Sequence, residues 1–162
     1  MNGKQRIVAA LNLQPVDRTP VWFMRQAGRH LPEYRKIAAE HNFWERCMDV
    51  DLCKTITLQP LERYQKIDAA IIFSDILTPL PSLGYDVEYG GGIRISDFDL
   101  DDVDDWINFS ARKHAPWAAD GLQAVGEEIG DTTARLGFVG SPWTICMYPV
   151  SYTHLTLPTN GT

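Results

Sequence analysis

The sequence predicts an α/β fold built on a parallel sheet, and three observations carry that expectation. Short apolar runs suited to buried strands stand at Val21–Met24, Ala69–Phe73 and Leu136–Val139. Stretches of helical character separate them, and strands alternating with helices are the pattern of βα units. The second and third runs pass directly into Ser74-Asp75 and Gly140-Ser141-Pro142, polar and turn-forming residues that close strands. No internal repeat of fixed period is visible.

Taken in order, the opening stretch sets Ile7, Val8 and Leu11 on one helical face, and Pro15 ends it. Val21–Met24 follows Thr19-Pro20 as a buried strand. Arg25–His30 reads as a loop, with Gly28 inside it and Pro32 just beyond. Pro32 opens a helix, since proline is favoured in the first turn. A second helical region runs from Phe43 towards Tyr64, with a kink or break expected at Pro60. Ala69–Phe73 is the next strand. Tyr85–Ile95, with three glycines in a row, is a hairpin or a loop. Trp117–Ile129 is helical despite Gly121 and Gly126, and Leu136–Val139 is the third strand. Residues 151–162 carry no Asp, Glu, Lys or Arg, hold four threonines and show neither periodicity. They read as an extraneous tail, with a natural flexible terminus as the alternative. The division expected is therefore 1–150 and 151–162.

The net charge of −6 and a pI near 5.1 argue against nucleic acid as a partner, because a phosphate backbone needs a basic face. Cys47, Cys53 and Cys146 are odd in number and widely spaced, which is neither a disulfide framework nor a zinc or redox pair. The longest apolar runs, Ile7–Leu11 and Ala69–Phe73, are too short to span a bilayer, and the first is too short for a signal-peptide core. A soluble protein of a reducing compartment, without a membrane, is the expectation.

Three segments carry candidate chemistry. In Arg25-Gln26-Ala27-Gly28-Arg29 two guanidinium groups four residues apart would repel on a helix, whereas a loop lets them converge on one anion. Positions 25–36 hold four Arg or Lys and His30 against the single Glu33, and arginine suits bidentate carboxylate binding. A solvated face pairing with surface acids is the competing explanation. Asp75 closes an apolar strand, where the carboxyl ends of strands gather catalytic groups; a turn or cap aspartate explains it equally. Gly140–Thr144, with Tyr148 soon after, would give a pocket an aromatic wall and hydroxyls, or would simply pack around a proline turn. Asp97, Asp99 and Asp101 begin like a calcium loop, but Asp102 and Asn108 stand where glycine and glutamate are needed, so no metal site is expected there.

These segments together resemble the uroporphyrinogen decarboxylase family. The blocks that carry the likeness are Thr19–Trp22, Met24–Arg29, Leu31–Tyr34, Thr57–Leu61, Asp68–Leu77 and Gly137–Thr144, in the family's order and at about its spacing. The likeness covers roughly residues 5 to 148. It implies the N-terminal part of a (β/α)8 barrel, incomplete here, since a whole barrel takes ~250 residues. It implies a cytoplasmic homodimer that uses no cofactor and no metal, with a porphyrinogen of eight carboxylates and four pyrrole N–H groups as substrate. Residue by residue, it makes Arg25, Gln26, Ala27, Gly28 and Arg29 the loop that binds substrate carboxylates. Asp75 becomes the acceptor of the pyrrole N–H groups and stabiliser of the transition state, and Tyr148 a further pocket residue. Arg25 is also a candidate for a catalytic role, although an arginine is a poor acid unless water relays the proton. His30 stands where the family usually has tyrosine, Pro149 replaces an apolar residue, and the family's glycine-rich continuation is replaced from Ser151. The expected consequence is a fragment that aggregates or stays partly molten, without activity. A related barrel methyltransferase and a non-catalytic porphyrin-binding protein are the rival readings.

Overall fold

The computed structural model describes residues 1–90, 92–96 and 103–148, without the Val103 side chain. The expected tail, Pro149 and Asp97–Asp102 lie outside the described residues. Among the described residues, helix and sheet divide into two compact units, 1–74 with 117–138 and the described parts of 75–116 with 139–148.

The first unit opens with α1 (Gly3–Leu11), whose start is closed by a reciprocal pair in which Asn2 caps the Gln5 N–H and Gln5 caps that of Asn2. The apolar face expected here does not face inward. Leu11 is 78% exposed and Val8 is exposed too, while Arg6 and Ala9 are buried. At about 100° per residue Val8 and Leu11 fall opposite Arg6, so the helix is turned by its cation rather than by its hydrophobes.

That cation meets Asp68, which is 1% exposed at the head of β1 (Ala69–Ile71). Asp68 Oδ1 accepts from Arg6 Nη1 at 2.5 Å and Arg18 Nη2 at 2.8 Å; Oδ2 accepts from Arg18 Nη1 at 2.7 Å and the Val21 N–H at 2.8 Å. Four donors fill a carboxylate's acceptor sites. Arg6 also forks onto Asp17 at 2.6 and 2.8 Å. Burial works against the charge on Asp68, but the Val21 N–H, Arg18 and Arg6 outweigh it and hold its pKa below the usual carboxylate range. Gly3 sits over the same point: a Cβ there would stand 2.6 Å from the Asp68 carbonyl oxygen, so α1 can approach only through glycine.

β1 pairs in parallel with β4 (Ala134–Leu136), Ala69 opposite Ala134 and Ile71 opposite Leu136. The expected third strand thus lies nearer the N-terminus than Leu136–Val139, because its register starts where the Ala134 N–H reaches the Asp68 carbonyl at 3.0 Å. Beyond it Val139 is 86% exposed. Ahead of β1 come α2 (Pro32–Glu40), α3 (Phe43–Met48) and α4 (Val50–Arg63), and α8 (Pro116–Ile129) leads into β4. Pro32 opens α2 as expected. The long helical region breaks at Asp49 and not at Pro60. Asp49 is extended, at φ −80° and ψ 119°, and its side chain accepts the Leu52 N–H at 2.8 Å, which starts a new helix. Pro60 lies inside α4, and the helix runs on past it to Arg63. Cys53 of α4, Ala70 and Ile72 of the β1 segment and Val125 of α8 form one buried cluster; Leu31, Tyr34 and Ile56 form another.

Val21–Met24 is the clearest departure from expectation. It is an exposed loop, with Met24 71% exposed, and not a buried strand. Backbone pairing with the β1 segment is made at Asp68, whose N–H reaches the Val21 carbonyl at 2.7 Å. At the next edge position a side chain takes the strand's place, since Gln26 Nε2 donates to the Ala69 carbonyl at 3.1 Å.

The second unit holds α5 (Pro79–Ser82), the antiparallel hairpin of β2 (Val87–Tyr89) and β3 (Ile93–Ile95), α6 (Val103–Ile107), α7 (Ala111–His114) and α9 (Pro142–Met147). The hairpin register sets Glu88 opposite Arg94, an opposite-charge cross-strand pair. Tyr85 and Trp106 lie 5.9 Å apart between ring centres, and the indole N–H donates to the Tyr85 hydroxyl at 3.2 Å.

Replacing Asp68 with alanine leaves Arg6 and Arg18 without their shared carboxylate. Removal of one partner of a buried ion pair costs about 3–5 kcal/mol, and urea unfolding of the Asp68→Ala chain is expected to show a loss of that order.

Candidate functional site

The basic loop is held at both ends by buried residues. Gln26 is 2% exposed, and its Oε1 accepts the Phe23 N–H at 3.3 Å while its Nε2 holds the Ala69 carbonyl. Leu31, 0% exposed, fixes the far end, and its N–H closes on the Gly28 carbonyl at 2.9 Å. Arg25 and Arg29 lie between and beside these anchors with exposed side chains. Among the described residues neither guanidinium makes an ion pair.

Charge in the neighbouring helix explains why they stay free. Glu33, the single carboxylate within 25–36, is taken by Arg63 through two contacts of 2.8 and 2.7 Å. That fork, reinforced by a backbone N–H, lowers the Glu33 pKa from 4.5 to about 2. Arg35 folds back to donate to the Arg29 carbonyl at 2.8 Å, and the His30 ring stacks on Tyr64 at 6.4 Å. Arg46 is buried and committed elsewhere: it donates to the Tyr34 hydroxyl at 2.5 Å and lies 5.2 Å from that ring's centre.

The end of the β1 segment is tied to α4 by a closed set of bonds. Thr57 Oγ1 accepts the Phe73 N–H at 2.9 Å and donates to the Cys53 carbonyl at 2.7 Å, and the Cys53 thiol donates to the Phe73 carbonyl at 3.2 Å. Burial pushes that thiol up to about 11, against hydrogen bonds that lower it.

Asp75 begins the second unit and is half-buried. Its Oδ1 accepts the Leu77 N–H at 2.7 Å, and its carbonyl accepts the Thr78 hydroxyl at 2.6 Å. It is therefore a turn aspartate, yet Oδ2 accepts no hydrogen bond among the described residues. Gly140 is packed closely within the same unit, for a Cβ there would meet Ile145 Cγ1 at 2.9 Å and Ile76 Cβ at 3.2 Å. The start of α9 thereby rests against the residue next to Asp75. Tyr148, which caps the C-terminus of α9, is exposed, and so is Trp143.

The expected site residues thus fall into two groups, residues 25–29 in the first unit and Asp75 with Tyr148 in the second. Sequence reasoning did not single out the Arg6–Asp17–Arg18–Asp68 cluster or the inward turn of Gln26. The first left a signal, since an aspartate directly ahead of an apolar strand must find cations once buried. Among the described residues no three His, Cys, Asp or Glu side chains lie together as a metal site would need.

The family model for uroporphyrinogen decarboxylase matches residues 2–157. The chain belongs to that family. Similar relatives include the uroporphyrinogen decarboxylases of Pseudomonas paraeruginosa, 42% identical, and Magnetococcus marinus, 36% identical, over 90% and 93% of this chain. The chain spans 42% and 43% of their lengths. A methyltransferase from Methanosarcina mazei superposes with a TM-score of 0.68 at 18% identity, over 93% of this chain and 46% of that one. That likeness is one of fold.

The Glu33 pair makes an acid-sensitive contribution with a defined sign. A carboxylate whose folded pKa is lowered stabilises fully above its unfolded value of 4.5, and the stabilisation is lost as pH falls through about 2. Urea midpoints measured from pH 5 down to pH 2 should therefore fall less steeply for Glu33→Gln than for the parent chain.

Proposed function

We propose that the protein carrying this chain is a carboxy-lyase that removes the four acetate carboxyl groups of uroporphyrinogen III to give coproporphyrinogen III in haem biosynthesis. Its fold is read as part of a (β/α)8 barrel, and the reading includes a homodimer in the cytosol. The observation that carries the proposal is the Arg25–Arg29 loop of a uroporphyrinogen decarboxylase family member. It presents, from an anchored backbone, two guanidinium groups that make no ion pair among the described residues. A planar fork with fixed donors is the group best matched to a carboxylate.

The chemistry follows from the substrate. Loss of carbon dioxide from an acetate arm leaves an electron pair that needs a sink. Protonation of a pyrrole carbon turns the ring into that sink: the C–CO2 bond breaks, its electrons enter the ring, and a second proton on the arm leaves a methyl group as the ring proton departs. Net, each arm takes up one proton and releases one carbon dioxide. Positive charge develops on the ring during this step. A carboxylate already oriented by a backbone N–H, as Asp75 is by Leu77, stabilises that charge more in the transition state than in the ground state. Arg25 and Arg29 hold other carboxylates, Ala27 and Gly28 contribute backbone N–H groups, and Tyr148 lines the pocket.

Residues 1–148 joined to the remaining part of the Pseudomonas paraeruginosa relative would test this on the chain's own residues. Incubation with uroporphyrinogen III without oxygen, followed by separation of products by carboxyl number, should show stepwise conversion. Asp75→Ala should slow it by a factor of about 10² to 10³, and the isolated 162-residue chain should show no turnover. An Asp75→Ala protein as fast as its parent would overturn the assignment.

A further inference from the structure

Gln26 stands between the two arginines in sequence, but its side chain points away from solvent. In a parallel pair, carbonyls alternate between the two edges of a strand. The β1 segment meets β4 through the Asp68 carbonyl at 3.0 Å and the Ile72 N–H at 3.0 Å, which leaves the Ala69 carbonyl on the opposite edge. A neighbouring strand would supply a backbone N–H there. The Gln26 amide supplies it instead, and its own oxygen takes the Phe23 N–H. Both ends of one buried amide are thus committed to backbone, one to the sheet and one to the incoming loop.

We propose that Gln26 is a positioning residue: it serves as a surrogate strand that fixes the Arg25 and Arg29 guanidinium groups for polycarboxylate binding, and its amide does not itself contact the ligand. This rests on the reading of residues 25–29 as the carboxylate-binding loop. The geometry favours this role because Arg25 is the adjacent residue and Arg29 only three beyond, ahead of the second anchor at Leu31. A shift of the amide moves both cations at once, and displacements near 1 Å are enough to lower binding or rate by up to about a hundredfold.

The test uses the whole 162-residue chain and uroporphyrin, a stable octacarboxylate, titrated by fluorescence. Three variants are compared with the parent: the Arg25→Ala/Arg29→Ala double variant, Gln26→Leu and Gln26→Glu. The double variant should lose affinity; if it does not, the carboxylate-loop reading itself fails. Given that loss, Gln26→Leu should weaken affinity by about tenfold or more in the folded fraction. Gln26→Glu adds a readout that a merely structural role would not move. Its ionised carboxylate faces the Ala69 carbonyl without a proton to offer, whereas the protonated form donates as the amide does, and burial favours that form. Its affinity relative to the parent at the same pH should therefore be low at pH 8 and recover towards unity at pH 5. Parent-like affinity for the Gln26 variants, beside a lower urea midpoint, would overturn the proposal. So would a pH-independent defect in Gln26→Glu, or failure of both variants to fold at either pH.

Discussion

A single buried carboxylate organises the first unit. Asp68 has no exposed surface to speak of, and a charge so placed is tolerated only when every acceptor site is filled. Its four donors come from α1, the segment after α1 and the Val21 backbone, so satisfying one side chain draws three stretches of chain onto the head of β1. Its main chain is used as fully, with the N–H given to Val21 and the carbonyl to Ala134. The two arginines and two aspartates of the cluster balance in charge, and Arg6 holds Asp17 well below the usual carboxylate range. The register of β4 and the entry of the basic loop both begin here.

Much of this was legible in the residues and some was not. Pro32 at the start of α2, the glycine-rich hairpin and the strand after Asp68 announced themselves through local rules: a fixed φ, a tight turn, an apolar run. The failures share a cause, namely that a polar side chain overrode the apolar pattern. α1 has Ile7, Val8 and Leu11 on one face, as read from the sequence, but Arg6 needed to reach Asp68, and Val8 and Leu11 are left exposed. Val21–Met24 had the composition of a strand, but the glutamine two residues on took the sheet edge for itself. Pro60 looked like the breaker, yet Asp49 caps a new helix with its own carboxylate. In each case the deciding contact joins residues whose partnership hydrophobic periodicity does not register.

The candidate site shows the same limit from the other side. The arginine loop and Asp75 were visible as residue types in suggestive places, and of the two readings offered for Asp75 the structure shows the turn. One oxygen makes the turn that any strand-ending aspartate makes, and the other accepts no hydrogen bond among the described residues. A capped oxygen orients the carboxylate, so the structural role does not compete with a chemical one. The competing explanation for the arginines, surface acids that neutralise them, gains nothing from Glu33, which Arg63 already occupies.

The distribution of arginines completes the argument. Arg6 and Arg18 are spent on Asp68, Arg63 on Glu33, and Arg46 lies among aromatic rings with the Tyr34 hydroxyl as partner. Arg35 donates to the backbone of the loop it follows. Arg25 and Arg29 are exposed and, among the described residues, make neither an ion pair nor a side-chain hydrogen bond, although they flank the buried and doubly bonded Gln26. Exposed long side chains ordinarily lose entropy when they grip a ligand, and a fixed backbone confines that loss to the side chains themselves. The buried hydrogen bonds of Gln26 thus hold the backbone of a short loop whose two arginines make no ion pair among the described residues. That exposure leaves both side chains open to the carboxylate binding proposed for this loop.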